Sequence, residues 1–301
     1  MRRFFSYLKN PILKNFLSTE KTAKRCGPNY FFFLLGSLIL FSTGAAAQGD
    51  LLLYPKRIVF EGSKKSQTLN LANSGKDTAR YLISVVQIRM KEDGGFETIS
   101  QPDSGQQFAD KYFRFFPRHV VLGPNEAQSV RIQLVNTSGL ADGEYRSHIY
   151  LRAEPDKKPL GEEETRKDSA AISVQLVAVF GISIPVIIRK GESTTKVNIS
   201  GDSFQLKNDS LPLLQVTFNR AGNMSVYGDI SVDYVSAQGK TTRVGIAKGV
   251  ALYTPGPARH FNLMLDKNAG INYKTGKLHI AYTTQAEAKS VKIAETEFQL
   301  M

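Results

Sequence analysis

The chain has 301 residues, a formal charge of +12 and a single cysteine, Cys26. One cysteine excludes an internal disulfide and a Cys-ligated metal. The Lys and Arg are scattered, with no dense run interleaved with aromatics, which argues against a nucleic-acid surface.

Residues 1–47 read as a cleaved export signal. Seven Lys/Arg precede the apolar run FFFLLGSLILF at 31–41, and small residues follow through Ala47. Ala45 and Ala47 form an A-x-A site, so cleavage is expected after Ala47. The alternative is an uncleaved anchor, but a span needs roughly 20 apolar residues and this run is shorter. Removing seven Lys/Arg and one Glu with this segment leaves a mature charge of +6 and no cysteine. A moderately basic chain of this kind suits partners with carboxylate features.

From residue 48 onward, strand signals dominate. Short runs rich in Val, Ile, Thr, Tyr and Phe alternate with polar residues and are bounded by turn residues. Strands are expected at 51–60, 66–73, 79–90, 111–116, 118–122, 127–136, 144–153 and 171–189. Residues 154–169, EPDKKPLGEEETRKDS, are too polar to pack and read as a loop. The pattern restarts after Lys190, with runs at 195–199, 203–207, 213–219, 226–235, 241–247, 259–265, 276–283 and 290–299. The expectation is an all-β protein of two β-sandwich domains, 48–189 and 190–301.

No catalytic motif stands out. His119, His148, His260 and His279 lie outside metal-ligand spacing of one another, and no P-loop, G-x-S-x-G or G-x-G-x-x-G occurs. Glu162, Glu163 and Glu164 fall in the polar loop and read as a solvated charge run. His148 and His279 read as hydrogen-bonded structural histidines within strands. The sequence therefore points to no enzyme, no metal and no cofactor.

The run AAISVQLVAVFGISIPVII (170–188) carries no charge. Its length meets the test for a membrane helix, but Gly181 and Pro185 would interrupt that helix. Its period decides the matter. Ile172, Val174, Leu176, Ala178, Phe180, Ile182, Ile184, Val186 and Ile188 are all apolar, while the odd positions include Ser173, Gln175, Gly181, Ser183 and Pro185. That is the two-residue period of a strand. Pro185 places part of it on an edge, where its missing N–H is not needed. Pattern alone leaves two readings open: a long interior strand, or an edge strand that completes a partner's sheet.

The N-terminal half strongly resembles the periplasmic pilus chaperones of the PapD-like family. The resemblance runs in order through KRIVFEGSKKSQTLNLANSG (56–75), Asn73 followed by Tyr81-Leu82, FFPRHVVLGPNEAQSVRI (115–132), GEYRSHIYL (143–151) and ISIPVIIRK (182–190). It covers about 50–190 and is weak beyond. It implies two immunoglobulin-like domains set as a boomerang, acting in the periplasm. The implied partners are pilin or fimbrial subunits and an outer-membrane usher, with no nucleic acid and no membrane span in the mature chain. The free chaperone capping itself by dimerisation is left open.

On this resemblance, the strand 171–189 fills the groove of an incomplete subunit. The face of Ile172, Val174, Leu176, Ala178 and Phe180 is favoured for that contact because it is unbroken; the reverse assignment stays open. Arg57 matches the family's cleft arginine, which anchors the subunit's terminal carboxylate. A guanidinium suits that task because it stays charged and can pair with both oxygens. Pro185 stands where the family has a cleft lysine, so the second part of that anchor is open. Arg189 matches the arginine of the domain junction and is expected to make interdomain salt bridges. The rival reading is an exported tandem immunoglobulin-like structural or adhesive protein.

Overall fold

The computed structural model describes residues 51–154, 179–207, 211–267, 271–285 and 290–300. The expected signal, most of the polar loop, and Ile172, Val174, Leu176 and Ala178 lie outside the described residues. Within them the chain is built of strands and forms two β-sandwiches. Among the described residues, no helix is long and apolar enough to cross a membrane.

The first sandwich contains β1 (Leu51–Tyr54), β2 (Ile58–Phe60), β3 (Ser66–Asn73), β4 (Ala79–Val86), β5 (Ile88–Met90), β6 (Phe96–Thr98), β7 (Phe113–Phe116), β8 (His119–Leu122), β9 (Ala127–Leu134), β10 (Gly143–Glu154) and β11 (Gly181–Lys190). One sheet has the order β1-β3-β9-β7 and the other β2-β11-β10-β4-β8, with β5 and β6 forming a separate hairpin. Alternation builds the core. Leu69 and Leu71 on β3, Val130 and Ile132 on β9, and Ile149 and Leu151 on β10 are fully buried, while their neighbours Asn70 and Arg131 are exposed. Burying each such Leu or Ile stabilises the fold by about 1.5–3 kcal/mol.

The second sandwich contains β12 (Lys196–Lys207), β13 (Leu211–Ala221), β14 (Val226–Val235), β15 (Thr241–Leu252), β16 (Ala258–Met264), β17 (Lys277–Thr284) and β18 (Lys292–Gln299). Its sheets have the orders β12-β13-β16 and β15-β14-β17-β18. Leu214, Phe218, Val232, Ile280 and Tyr282 form the centre of its core.

Four expected strands come out differently, two by splitting and two by merging. The run 51–60 breaks at Pro55 because proline cannot donate to a ladder, and β1 and β2 enter opposite sheets. The run 79–90 breaks at Gln87, and β5 turns back through Gly94, at φ +83°, to make the hairpin with β6. The runs 195–199 and 203–207 are instead one strand. It is interrupted by a bulge between Ser200 and Ser203, where Gly201 takes φ +61°; a bulge position of this kind favours glycine.

β10 is buried on both faces from Gly143 to Ile149. Tyr145, Ser147 and Ile149 face the first core. By strand alternation Glu144, Arg146 and His148 face the other way, and hydrogen bonds tie Glu144 and Arg146 to the second sandwich. This placement creates the site.

Candidate functional site

β11 pairs with β10 along its whole length, from Gly181 opposite Arg152 to Lys190 opposite Gly143. On its other side, β2 joins in parallel only at Val186–Ile188. Among the described residues, no strand covers that side of Gly181–Pro185. The ladder continues one residue upstream, where the Ala153 N–H donates to the Phe180 carbonyl at 2.8 Å. Phe180 is 63% exposed, and Val179 and Ile182 are also exposed. An open edge with apolar side chains beside it is a feature proteins normally blunt. Further along, Ile184, Val186 and Ile188 enter the first core and Ile187 packs against Ala251 and Tyr253 of the second sandwich. Of the proposed donor face, Phe180 alone is described.

Just ahead of β2 stands Arg57. It is partly buried, and its guanidinium carbon lies 4.1 Å from the ring centre of Tyr227 on β14. Its Nε is buried and has no hydrogen-bond partner among the described residues. Desolvation lowers its pKa, Tyr253 opposes that shift, and Arg189 adds to it.

Behind it is a buried polar junction. Glu144 accepts hydrogen bonds from the Ser225 N–H at 2.9 Å, the Ser225 hydroxyl at 2.5 Å and Arg189 Nε at 3.3 Å. Arg189 also donates to Glu61 at 2.6 Å and to the Ser225 carbonyl at 2.7 Å. Arg146 donates through Nη2 to the Thr254 carbonyl at 2.9 Å and lies 4.1 Å from the ring centre of Tyr253. Its Nε and Nη1 are buried without a hydrogen-bond partner among the described residues, and Nη1 is 3.9 Å from Glu144. Arg220 donates to the carbonyls of Pro255, Gly256, Gly222 and Met224. It thereby ties together the two loops that meet β10.

His148, opposite Pro185 in the ladder, is buried, and its Nδ1 has no hydrogen-bond partner among the described residues. Burial, reinforced by Arg146, pushes its pKa down to about 3. It is therefore a neutral imidazole at pH 7, without the hydrogen bond expected at Nδ1. The β5–β6 hairpin adds a second tie between the sandwiches, since the His260 N–H on β16 donates to the Glu92 carbonyl at 2.6 Å.

Arg57 thus stands beside the open half of β11, and Arg189 at the strand's opposite end, where it is bonded to Glu144 and Ser225. Sequence reading missed Glu144, Arg146, Tyr227 and Tyr253. Glu144-x-Arg146-x-His148 has the alternation of a solvent-facing strand, and only the second sandwich makes it a buried one. Among the described residues, no group of three or more His, Cys, Asp or Glu is placed to hold a metal.

No protein-family model matches the chain, and no curated protein matches it. Solved structures similar to it include the YadV chaperone, at 13% identity over 83% of this chain and 100% of that one, with a TM-score of 0.42. The class 5 fimbriae chaperone CfaA is similar at 15% identity over 84% and 99%, with a TM-score of 0.41. The Pseudomonas aeruginosa CupB2 chaperone is similar at 13% identity over 83% and 100%, with a TM-score of 0.40.

Proposed function

We propose that the protein is a periplasmic chaperone for pilus or fimbrial subunits. It holds an incomplete subunit by lending it a strand, then passes it to an outer-membrane usher. It is a binding protein and turns over no substrate. Its working units are the signal 1–47, the chaperone domain 48–189 and the second domain 190–301.

The observation that carries this reading is the half-open strand. Among the described residues, Gly181–Pro185 is hydrogen-bonded on one side only, and an uncharged sequence of period two leads into it. Strand addition uses such an edge: the backbone supplies ladder bonds and alternate side chains fill pockets. Pro185 fits because an edge position leaves one side of the backbone unbonded. Arg57, at the start of the neighbouring strand, has an Nε–H with no hydrogen-bond partner among the described residues, and a guanidinium suits a carboxylate. Arg189, bonded to Glu61, Glu144 and Ser225, holds the junction and is not expected to touch the subunit.

Co-expression with a pilin-like subunit tests the reading. A soluble one-to-one complex is expected from the native chain. Arg57→Ala and Val174→Asp should each reduce the recovered complex at least tenfold while leaving the free protein folded. Recovery equal to that of the native chain in both variants refutes the mechanism.

A further inference from the structure

On the face of β10 that carries Glu144, Arg146 and His148, burial is complete as far as His148, and Tyr150 is the first residue beyond it. Tyr150 is partly buried and stands opposite Ser183 in the ladder. Its ring does not stay over Ser183 but leans along β11 to Gly181. A Cβ placed at Gly181 would overlap the Tyr150 hydroxyl oxygen and the ring atoms Cε2 and Cζ. The backbone of Gly181 does not itself call for glycine, since its φ lies outside the left-handed region. A glycine inside a strand weakens the strand and often marks a close approach. Here the approach is that of the Tyr150 phenol. Among the described residues, no hydrogen-bond partner reaches the Tyr150 hydroxyl.

Gly181 lies on the open half of β11. A strand added there would run about 4.8 Å from it. Residues directly opposite in such a pair hold their Cβ atoms about 4.5–5.5 Å apart. At Gly181 the place of that Cβ is taken by the phenol. The guest side chain beside Gly181 on this face therefore meets Tyr150, which belongs to the strand behind β11. Ser183, next along the same face, is short and exposed and does not screen the ring.

We propose that Tyr150 is a specificity-determining residue for the guest strand. Gly181 withholds a side chain, Tyr150 fills its place with a ring and a hydroxyl, and the pair selects a guest residue that carries a hydrogen-bond acceptor, such as Asn or Gln. An apolar side chain of the same size would cover the hydroxyl without giving it a partner, which weakens binding. This rests on the reading above that a subunit strand is added at this edge.

Photo-crosslinking in the complex of the full chain with a co-expressed pilin-like subunit tests the proposal. p-Benzoylphenylalanine in place of Tyr150 should crosslink to the subunit. The same replacement at Leu82, exposed on this face one strand further back, should not. The crosslinked subunit residue is then set to Asn and to Leu. The native chain should bind the Asn form about tenfold more tightly, and Tyr150→Phe should bind the two forms alike. Gly181→Val places a better strand former at the edge, so the free protein should melt no lower than the native chain, yet capture should fall about tenfold because the phenol is displaced. A complex that forms without a crosslink from position 150 overturns the inference and leaves strand lending intact. So does an Asn preference that survives in Tyr150→Phe, or native capture by Gly181→Val. If Arg57→Ala and Val174→Asp both capture the subunit as the native chain does, the strand-lending reading itself fails and this inference falls with it.

Discussion

Replacing Glu144 tests whether the junction holds the two sandwiches together. The side chain is fully buried and accepts from the Ser225 N–H, the Ser225 hydroxyl, Arg189 Nε and the Thr254 hydroxyl at 2.9, 2.5, 3.3 and 3.5 Å. Glu144→Ala removes every acceptor at once and leaves Arg146 without its nearest counter-charge. Breaking a buried pair in this way costs about 3–5 kcal/mol. Glu144→Gln keeps the shape and one acceptor oxygen but loses the charge, so the cost falls to about 1.5–3 kcal/mol. At about 2–4 °C per kcal/mol for a chain of this size, the alanine variant should melt roughly 6–20 °C lower. Thermal unfolding followed by far-ultraviolet circular dichroism reads this directly, and the lack of tryptophan does not hinder it. A double-mutant cycle with Ser225→Ala should give a coupling above about 1 kcal/mol, as expected for residues in one network. If Glu144→Ala melts within about 3 °C of the native chain, the buried carboxylate is not what joins the sandwiches.

Three further outcomes are expected. His148 has a folded pKa of about 3 against an ordinary value of 6.5, so the unfolded state binds more protons between those values. Stability should be level above pH 6.5 and fall by about 1.4 kcal/mol per unit as pH drops below it; urea midpoints at pH 7.5, 6 and 5 should show that slope, and His148→Gln should reduce it. Asn73 donates to the carbonyls of Asp77, Leu122 and Gly123 and accepts from the Gly75 N–H; Asn73→Ala should cost about 2–3 kcal/mol by urea titration because buried carbonyls lose their donor. Phe180→Asp alters an exposed side chain, so the urea midpoint should move by less than the equivalent of about 0.5 kcal/mol, while co-purification of a subunit should drop at least tenfold.

Strand identity was legible where one face met a core. TLNL in β3 and VRI in β9 alternate cleanly, and Leu69, Leu71, Val130 and Ile132 are buried as their period predicts. The β5–β6 hairpin was not legible because its strands are three residues long and Phe96–Thr98 is exposed throughout. The candidate site was half legible. Arg57 and Arg189 stood out through the motifs around them. Glu144 and Arg146 did not, because alternating polar residues on a strand are indistinguishable from a wet face until a second sandwich covers them. Tyr227 and Tyr253 looked like ordinary strand aromatics, and their role depends on what lies over their rings.

The parallel pairing of β2 with β11, Ile58 opposite Val186, gives the open edge a sense of direction. A strand added along Gly181–Pro185 lies end to end with β2, and Arg57 stands at the join. If that strand runs parallel to β11, its last residue arrives at the join carrying a negative terminus. If it runs antiparallel, its first residue arrives there instead, and an ammonium would face the Arg57 guanidinium. On the proposed reading Arg57 therefore acts as a polarity filter: it discriminates head from tail in a guest strand before any side chain is matched to a pocket.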